Sequence, residues 1–232
     1  MGRPYGTDMI PCVVAVAKHP VAGQVKTRMA TTLGAETARE LYRCALADTV
    51  DLLRALEEVH PVLSYAPDTV DAHAYFSSLA PDVTLVVQQG VDLGERLLHT
   101  FRTLYAKKFA PVVLIGSDTP SLPRSYVEQA LALLDQADTD AVLGPAADGG
   151  YYLLGMRVPL APLFQDICWS TEVVAQQTRA RAVEHMLCLK EVPVWYDLDT
   201  AEDLRELYRE VSRSGERRAA RTCDFVRTHG LV

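Results

Sequence analysis

The chain has 232 residues, of which 49% are hydrophobic and 23% charged, so it can bury a full-sized core and lacks the composition of a disordered protein. Its net charge of −7 argues against a nucleic-acid binder, because such proteins neutralise phosphates with a basic face. We interpret the one basic run, residues 213–221, as a solvated helix face.

The cysteines and the N-terminal segment indicate a reducing compartment. There are five cysteines, an odd number, and no C-x-x-C spacing, which argues against zinc sites and a disulfide framework. The N-terminus has no signal-peptide pattern, and the apolar run over residues 10–17 is too short to span a membrane. We therefore expect a cytoplasmic protein without a membrane span.

Apolar runs of strand length alternate with longer segments of helical spacing along the chain. The first half predicts strands over 10–17, 59–65, 83–88 and 111–116, and helices over 38–56, 72–79 and 93–105. The second half predicts a helix over 123–134, strands over 140–144 and 151–156, a helix over 171–185, a short strand over 192–196 and a helix that starts with a capping box between Thr200 and Asp203. This alternation predicts one α/β domain over 1–232, a three-layer, Rossmann-like, mostly parallel sheet with helices on both faces.

In such sheets, ligands bind beyond the carboxyl ends of the strands, so the loops after the strands are the segments to search. The loop after the first strand carries Lys18, Gly23, Lys26 and Arg28, which suit a phosphate-binding turn. Its alternative interpretation is an ordinary exposed loop.

The loop after the third strand contains Gln89, Gly90 and Asp92. The amide of Gln89 and the backbone of Gly90 could read the edge of a nucleobase. Asp92 is a candidate for the same binding site, and its alternative role is the N-cap of the following helix.

Two aspartates are candidate metal ligands. Asp118 follows a buried strand, where a carboxylate is costly without a cation, and hard oxygen ligands suit Mg²⁺ or Mn²⁺. Asp199 is a candidate second ligand that the fold would bring beside it. Helix capping is the alternative role of each.

Asp148 lies in an Asp-Gly-Gly segment and is a candidate for orienting an acceptor hydroxyl or removing its proton. A simple hairpin turn explains the same segment equally well. In the segment Trp169-Ser170-Thr171, the hydroxyls are expected to cap the following helix, and Trp169 either packs over a sugar or base or belongs to the core.

Six short segments occur in one order: Lys18-x-Pro20-x-x-Gly23-x-Val25-Lys26-Thr27-Arg28, Asp92-Leu93-Gly94-x-Arg96, Gly116-Ser-Asp-Thr-Pro120, Asp148-Gly-Gly-Tyr-Tyr, Trp169-Ser-Thr171 and Asp197-x-Asp199-Thr200-x-Glu-Asp203. Together, over about residues 12–210, they resemble the bacterial glycosyltransferase-like family described as radical-SAM/selenodomain-associated transferases. That family is similar to the GT-A superfamily of nucleotide-diphospho-sugar transferases, which includes sugar nucleotidyltransferases and guanylyltransferases.

The resemblance implies a nucleotide in the first half of the chain and a divalent metal, Mg²⁺ or Mn²⁺. By position, Lys26 and Arg28 resemble the basic pair near the phosphates and, with Asp148, are the catalytic candidates. Asp118 and Asp199 resemble the two acidic metal ligands. The expected substrates are a nucleotide sugar or NTP and a small-molecule acceptor, with oligomeric state left open.

Three functions follow as hypotheses. The first is glycosyl transfer from a nucleotide sugar, and the second is nucleotidyl transfer from an NTP with release of pyrophosphate. The third is a non-catalytic nucleotide-binding protein on the same scaffold.

Overall fold

A seven-stranded sheet forms the centre of the protein in the computed structural model, which describes residues 9–214 and 218–231. Its strands are β1 (Ile10–Lys18), β2 (His60–Ala66), β3 (Thr84–Val87), β4 (Phe109–Gly116), β5 (Ala141–Pro145), β6 (Tyr151–Met156) and β7 (Leu189–Glu191). Their order is β3-β2-β1-β4-β6-β5-β7, and within the described residues only β6 runs antiparallel to its neighbours. The predicted mostly parallel sheet is confirmed.

Helices cover both faces of this sheet, as the alternating pattern predicts. They are α1 (Thr27–Leu33), α2 (Ala35–Ala55), α3 (Val70–Leu79), α4 (Leu93–Ala106), α5 (Arg124–Leu134), α6 (Val174–Glu184), α7 (Ala201–Ser214) and α8 (Ala220–Thr228), with a 3₁₀ helix at Ala161–Phe164. Side chains of α2, α3 and α5 pack on one face, and those of α4, α6 and the 3₁₀ helix pack on the other. The architecture is therefore a three-layer α/β fold.

Strand β1 shows why its sequence is apolar at successive positions. Cys12 and Val14 belong to the core on the α4 side, whereas Val13 and Ala15 belong to the core on the α5 side. All four side chains are fully buried. A parallel strand with helices on both faces has no solvent-facing side, so the run is continuous rather than alternating.

The C-terminal helices pack on the edge of this layered structure, through α2. A cluster of buried side chains joins them, which we call the C-terminal cluster: Met29, Leu41, Leu198, Leu204, Leu207, Ala219 and Val226. The Asp48 carboxylate of α2 accepts hydrogen bonds from the backbone N–H groups of Arg221 and Thr222 in the first turn of α8. A side chain of one helix therefore caps another helix that lies about 170 residues away in sequence.

Two predicted elements differ from the structure. The predicted strand over 192–196 is wrong, since β7 lies just before it and only an isolated bridge, Ala146 to Trp195, follows. Pro193 lies inside the predicted segment and has no N–H to donate to a ladder. Helix α6 begins at Val174 rather than at Thr171, whose hydroxyl donates to the Cys168 carbonyl instead of capping the helix.

Helix α1 was not expected, because its seven residues lie inside the segment predicted as a basic loop. It begins directly after Lys26, which has a left-handed backbone with φ of 48°. In the described parts of the chain, no helix is both long enough and apolar enough to cross a membrane.

Candidate functional site

A cleft of about 850 Å³ opens at the carboxyl ends of the parallel strands. Its walls come from the loop after β1, the ends of β3 and β4, the first turns of α4, the start of β6 and residues 197–199. This is the edge at which open α/β sheets bind their ligands. The loops predicted to matter after β1 and β4, and before α7, therefore meet at one place.

Three carboxylates surround one buried ammonium group in this cleft. The Lys26 Nζ lies 2.5 Å from Asp118 Oδ1 and 3.3 Å from Asp199 Oδ1, and its side chain is 3% exposed. It also donates to the Leu198 carbonyl at 2.5 Å. Asp197 lies close enough to interact electrostatically with the same group. We call Asp118, Asp197 and Asp199 the acidic cluster.

Backbone contacts hold the two acidic segments together. The Leu198 N–H donates to the Asp118 carbonyl at 2.8 Å, which ties residues 197–199 to the end of β4. The fold thus brings Asp118 and Asp199 to the same Lys26 ammonium, and their role as metal ligands stays a prediction.

Helix capping does not occupy either aspartate. At the start of α7, Thr200 Oγ1 accepts from the Asp203 N–H and Asp203 Oδ2 accepts from the Thr200 N–H, which is the predicted capping box. At the start of α5, the cap residue is Pro123, with no side-chain hydrogen bond. Both carboxylates are therefore directed to the cleft and its cations rather than to a helix end.

Burial and neighbouring charges shift the pKa values of Lys26 and Asp197. Burial lowers the pKa of Lys26, but the charges of Asp118 and Asp199 outweigh it and hold that pKa above its ordinary value. At Asp197, burial and the charges of the carboxylate neighbours act in the same direction and raise its pKa to about 7. The acidic cluster therefore holds more negative charge than Lys26 alone neutralises.

Asp118 and Asp199 provide carboxylate oxygens of the kind that bind divalent cations. Within residues 9–214 and 218–231, no three His, Cys, Asp or Glu side chains are arranged to hold a metal by themselves. Asp118 and Asp199 both contact the Lys26 ammonium and keep 47% and 37% of their side chains exposed. Mg²⁺ is commonly held by one or two carboxylates with the remaining ligands from water and substrate phosphates, so the pair fits that type of site.

The structure places some of the predicted phosphate-binding and base-binding residues at the cleft and others away from it. Lys18 and Arg28 line it, and Arg28 Nη1 lies 3.7 Å from Asp199 Oδ2. Gly23, Gln89, Gly90 and Asp92 are not among its lining residues.

The residues before α4 have structural roles that explain their positions. Asp92 is the N-cap of α4, with its carboxylate accepting from the Glu95 N–H at 2.8 Å. A side chain at Gly90 would collide with Glu95 and with the Arg96 backbone, so close packing requires this glycine. These contacts favour the capping interpretation of Asp92.

The Asp148 segment forms the turn between β5 and β6. Asp148 Oδ1 accepts from the Gly150 N–H at 2.9 Å, and it does not line the cleft. A Cβ at Gly149, where φ is 90°, would lie 1.9 Å from the Glu172 carbonyl, so the close approach there is made by the chain itself. The role of Asp148 toward an acceptor stays a prediction.

Sequence reasoning assigned no role to several residues that line the cleft: Tyr42, Gln88, Arg96, Ser117, Tyr151 and Asp197. Gln88, rather than Gln89, faces the cleft, and its amide nitrogen donates to the carbonyls of Ala17 and Ser64. Four of these residues had a detectable signal, since Arg96, Ser117, Tyr151 and Asp197 belong to motifs already recognised. The others follow from strand register and helix phase, which only the packed structure fixes.

Comparison with known proteins gives a consistent result. Residues 49–171 match a family model described as an uncharacterised protein conserved in bacteria, DUF2064. A candidate nucleotide-diphospho-sugar transferase from Desulfovibrio desulfuricans G20 is 35% identical, with 95% of this chain and 96% of that chain covered and a TM-score of 0.88. No curated protein sequence matches the chain significantly.

More distant solved structures share the fold. CMP:2-keto-3-deoxy-manno-octonic acid synthetase in complex with CTP is 10% identical, with 88% and 99% of the two chains covered and a TM-score of 0.53. Rv0371c from Mycobacterium tuberculosis H37Rv in complex with manganese is 16% identical, with 86% and 98% covered and a TM-score of 0.52. The chain is thus a transferase with the nucleotide-diphospho-sugar transferase fold, and it belongs to the bacterial family DUF2064.

Proposed function

We propose that this protein transfers a glycosyl group from a nucleotide-diphospho-sugar to a small-molecule acceptor, with Mg²⁺ or Mn²⁺ as cofactor. The observation that carries the proposal is the acidic cluster around Lys26, at the carboxyl edge of the sheet and inside the cleft. The 35% identity to a candidate transferase of this type supports the choice of donor.

Asp118 and Asp199 would hold the divalent cation, because their partly exposed carboxylates lie beside the same Lys26 ammonium in the cleft. When bound, the metal supplies positive charge beside the diphosphate and stabilises it as a leaving group. The manganese complex of a structure with the same fold supports this choice of cofactor. Three carboxylates near one ammonium also leave negative charge that a cation offsets.

The cations of the first loop would stabilise the charge that develops during transfer. The bond between the anomeric carbon and the diphosphate oxygen breaks, a bond to the acceptor hydroxyl forms, and the nucleoside diphosphate leaves. Lys26 and Arg28 are our candidates for stabilising the departing negative charge, since both line the cleft, as does Lys18. Asp148 is our candidate for orienting or deprotonating the acceptor hydroxyl, since its charge is close enough to act on Asp197.

Nucleotidyl transfer from an NTP is the second candidate. It is favoured by the CTP complex of a synthetase that has the same fold. In that reaction the acceptor attacks the α-phosphate and pyrophosphate leaves. An assay for released pyrophosphate separates this function from glycosyl transfer, which releases a nucleoside diphosphate.

The first experiment is a thermal-shift screen of UDP, GDP, their sugar derivatives and the four NTPs, each with and without Mn²⁺. A ligand that binds the folded state raises the Tm by mass action. We expect a metal-dependent shift with one nucleotide diphosphate or its sugar. A shift confined to a triphosphate favours nucleotidyl transfer, and equal shifts with and without metal contradict the proposed cofactor.

The matched variants are Asp118→Asn in the acidic cluster and Asp166→Asn on the surface, where the side chain is 82% exposed. Asp118→Asn is expected to fold and to lose the metal-dependent part of the shift, because it removes one charged ligand. Asp166→Asn is expected to behave as the wild type. A full metal-dependent shift in Asp118→Asn contradicts the assignment of this ligand.

A further inference from the structure

The cleft has a second polar region, on the α4 side of the sheet, that the proposed reaction does not use. Arg96 of α4, Tyr151 of β6 and Ser170 all line this part of the cleft. Tyr151 and neighbouring Leu93 pack against the core on the α4 side. By contrast, Tyr42, on the α2 side, hydrogen-bonds with Ser117, which precedes Asp118 of the acidic cluster.

Arg96 presents an uncompensated positive charge. It is half-buried, and among the described residues no side chain or carbonyl forms an ion pair or hydrogen bond with its guanidinium. The backbone carbonyl of Arg96, by contrast, accepts a hydrogen bond from the Thr100 hydroxyl. A partly desolvated guanidinium with five free donors is a strong binding group for carboxylates and phosphates.

The Tyr151 hydroxyl is a second unused donor. Its oxygen is inaccessible to solvent and has no hydrogen-bond partner in the described structure. The other tyrosines of this region are satisfied: Tyr152 donates to the Pro193 carbonyl at 2.7 Å, and Tyr42 bonds to Ser117 at 2.9 Å. Burial raises the pKa of Tyr151, so the hydroxyl stays protonated. An unpaired buried hydroxyl is unfavourable, and a ligand acceptor would relieve that cost.

The loop beside these groups is held in place by packing. The Trp169 indole lies against Gly94 of α4 so closely that a Cβ on Gly94 would be 2.6 Å from the ring. The next residue, Ser170, has a left-handed backbone with φ of 63° and lines the cleft. The packing of Trp169 therefore holds Ser170, a third residue with a donor group, in the lining of the cleft that includes Arg96 and Tyr151.

We infer that Arg96, Tyr151 and Ser170 form an anion subsite that binds a phosphate or carboxylate of a substrate. Arg96 is positively charged and can only donate hydrogen bonds, and the Tyr151 and Ser170 hydroxyls can donate as well, so an acidic group that accepts hydrogen bonds is the ligand that suits all three. The inference rests on the proposed function for its place in a reaction. The acidic group could belong to the nucleotide or to the second substrate, and the experiment separates the two.

The test measures the binding of inorganic phosphate to the full chain by isothermal titration calorimetry, with EDTA present. No metal or nucleotide is needed, so a failure of the proposed glycosyl transfer leaves this result unaffected. The variants are Arg96→Gln, Arg96→Lys and Tyr151→Phe. The matched controls lie on the outer side of the same helix: Arg102→Gln and Tyr105→Phe, both at exposed positions.

We expect Arg96→Gln to weaken phosphate binding by about tenfold or more and Tyr151→Phe by several-fold, with Arg96→Lys intermediate. The Tm of ligand-free Tyr151→Phe is expected to equal or exceed that of the wild type, since the hydroxyl that is removed has no partner. Both controls should bind as the wild type does. Equal affinity in Arg96→Gln and Arg102→Gln overturns the inference, as does a wild type that does not bind phosphate.

A second titration identifies the source of the acidic group. Phosphate is added to protein already saturated with the nucleoside diphosphate found in the screen. If phosphate still binds and Arg96→Gln abolishes this binding, the subsite serves the second substrate, which is then an acidic acceptor. If the nucleotide displaces phosphate and Arg96→Gln weakens the nucleotide itself, the subsite takes the phosphate of the nucleotide. If Arg96→Gln changes the affinity for neither phosphate nor the nucleotide, the subsite assignment is contradicted.

Discussion

Replacing Asp48 with alanine tests how the C-terminal helix is attached to the fold. The Asp48 carboxylate accepts from the Arg221 N–H at 3.0 Å, the Thr222 N–H at 2.9 Å and the Thr222 hydroxyl at 2.7 Å. Asp48 is 6% exposed and Thr222 is fully buried, so water cannot replace these bonds without opening the packing. Asp48→Ala leaves two buried donors of Thr222 without a partner.

The magnitude follows from those contacts. Each buried donor left unpaired costs about 1 to 3 kcal/mol, and loss of a helix cap alone costs about 1 kcal/mol. Part of this is offset, because burial raises the pKa of Asp48, which shows that its charged form is desolvated at a cost. We expect a net loss of about 2 to 4 kcal/mol in the free energy of unfolding.

The assay is urea unfolding followed by far-UV circular dichroism, with Asp51→Ala as the matched control. Asp51 lies one turn further along α2 and pairs with Arg221 and Arg54, but its side chain is 45% exposed. Exposed ion pairs contribute about 0 to 1 kcal/mol, so the control should be close to the wild type. An Asp48→Ala variant no less stable than Asp51→Ala would refute the view that this buried carboxylate caps α8.

Three further predictions concern the site. Lys26→Met leaves the acidic cluster without its ammonium and is expected to lower the free energy of unfolding of the metal-free protein by about 2 kcal/mol. This loss is smaller than that for breaking a fully buried ion pair, because two of the carboxylates are partly exposed. Equal Tm values for the variant and the wild type in EDTA contradict this prediction. Gly94→Ala forces a Cβ against the Trp169 ring, so we expect the free energy of unfolding to fall by about 1 to 2 kcal/mol and the tryptophan fluorescence to change. An unchanged fluorescence spectrum argues against that contact. The pKa of Asp197 is raised from 3.8 to about 7 in the folded protein, so folding favours the protonated carboxyl. The contribution of this group to the free energy of unfolding is therefore fully present below pH 4 and is lost as the pH rises through 7. In EDTA, Asp197→Asn should therefore be about 2 to 4 kcal/mol more stable than the wild type at pH 8 and nearly equal to it at pH 4, and thermal unfolding at the two pH values decides the matter.

The local pattern of the sequence determined the layered architecture. Continuous apolar runs such as residues 10–17 predict strands buried on both faces, and the structure has β1 there. The capping box of Thr200 and Asp203 also followed from sequence, because its bonds join residues three positions apart. The predicted family and fold agree with the comparisons, since several short motifs in fixed order carry that information.

Local reasoning failed where a short segment had two physical explanations. Residues 192–196 have strand composition, but Pro193 has no N–H and the neighbouring strand ends after Glu191. Asp92 and Gln89 suited a base-binding loop, yet Asp92 caps α4 and it is Gln88 that faces the cleft. Sequence spacing leaves the choice open, because a one-residue shift reverses the face on which a strand residue lies.

Contacts between distant segments were decided only by the tertiary structure. The approach of Lys26 to Asp118 and Asp199, and of Asp48 to α8, joins residues that no local periodicity relates. The same is true of Arg96 and Tyr151, whose unpaired donors are evident only when every neighbour is in place. The sequence by itself determined which elements form, since that depends on local hydrophobic spacing, whereas the grouping of charges at the cleft depends on strand order and helix packing, which arise from the free energy of the whole fold.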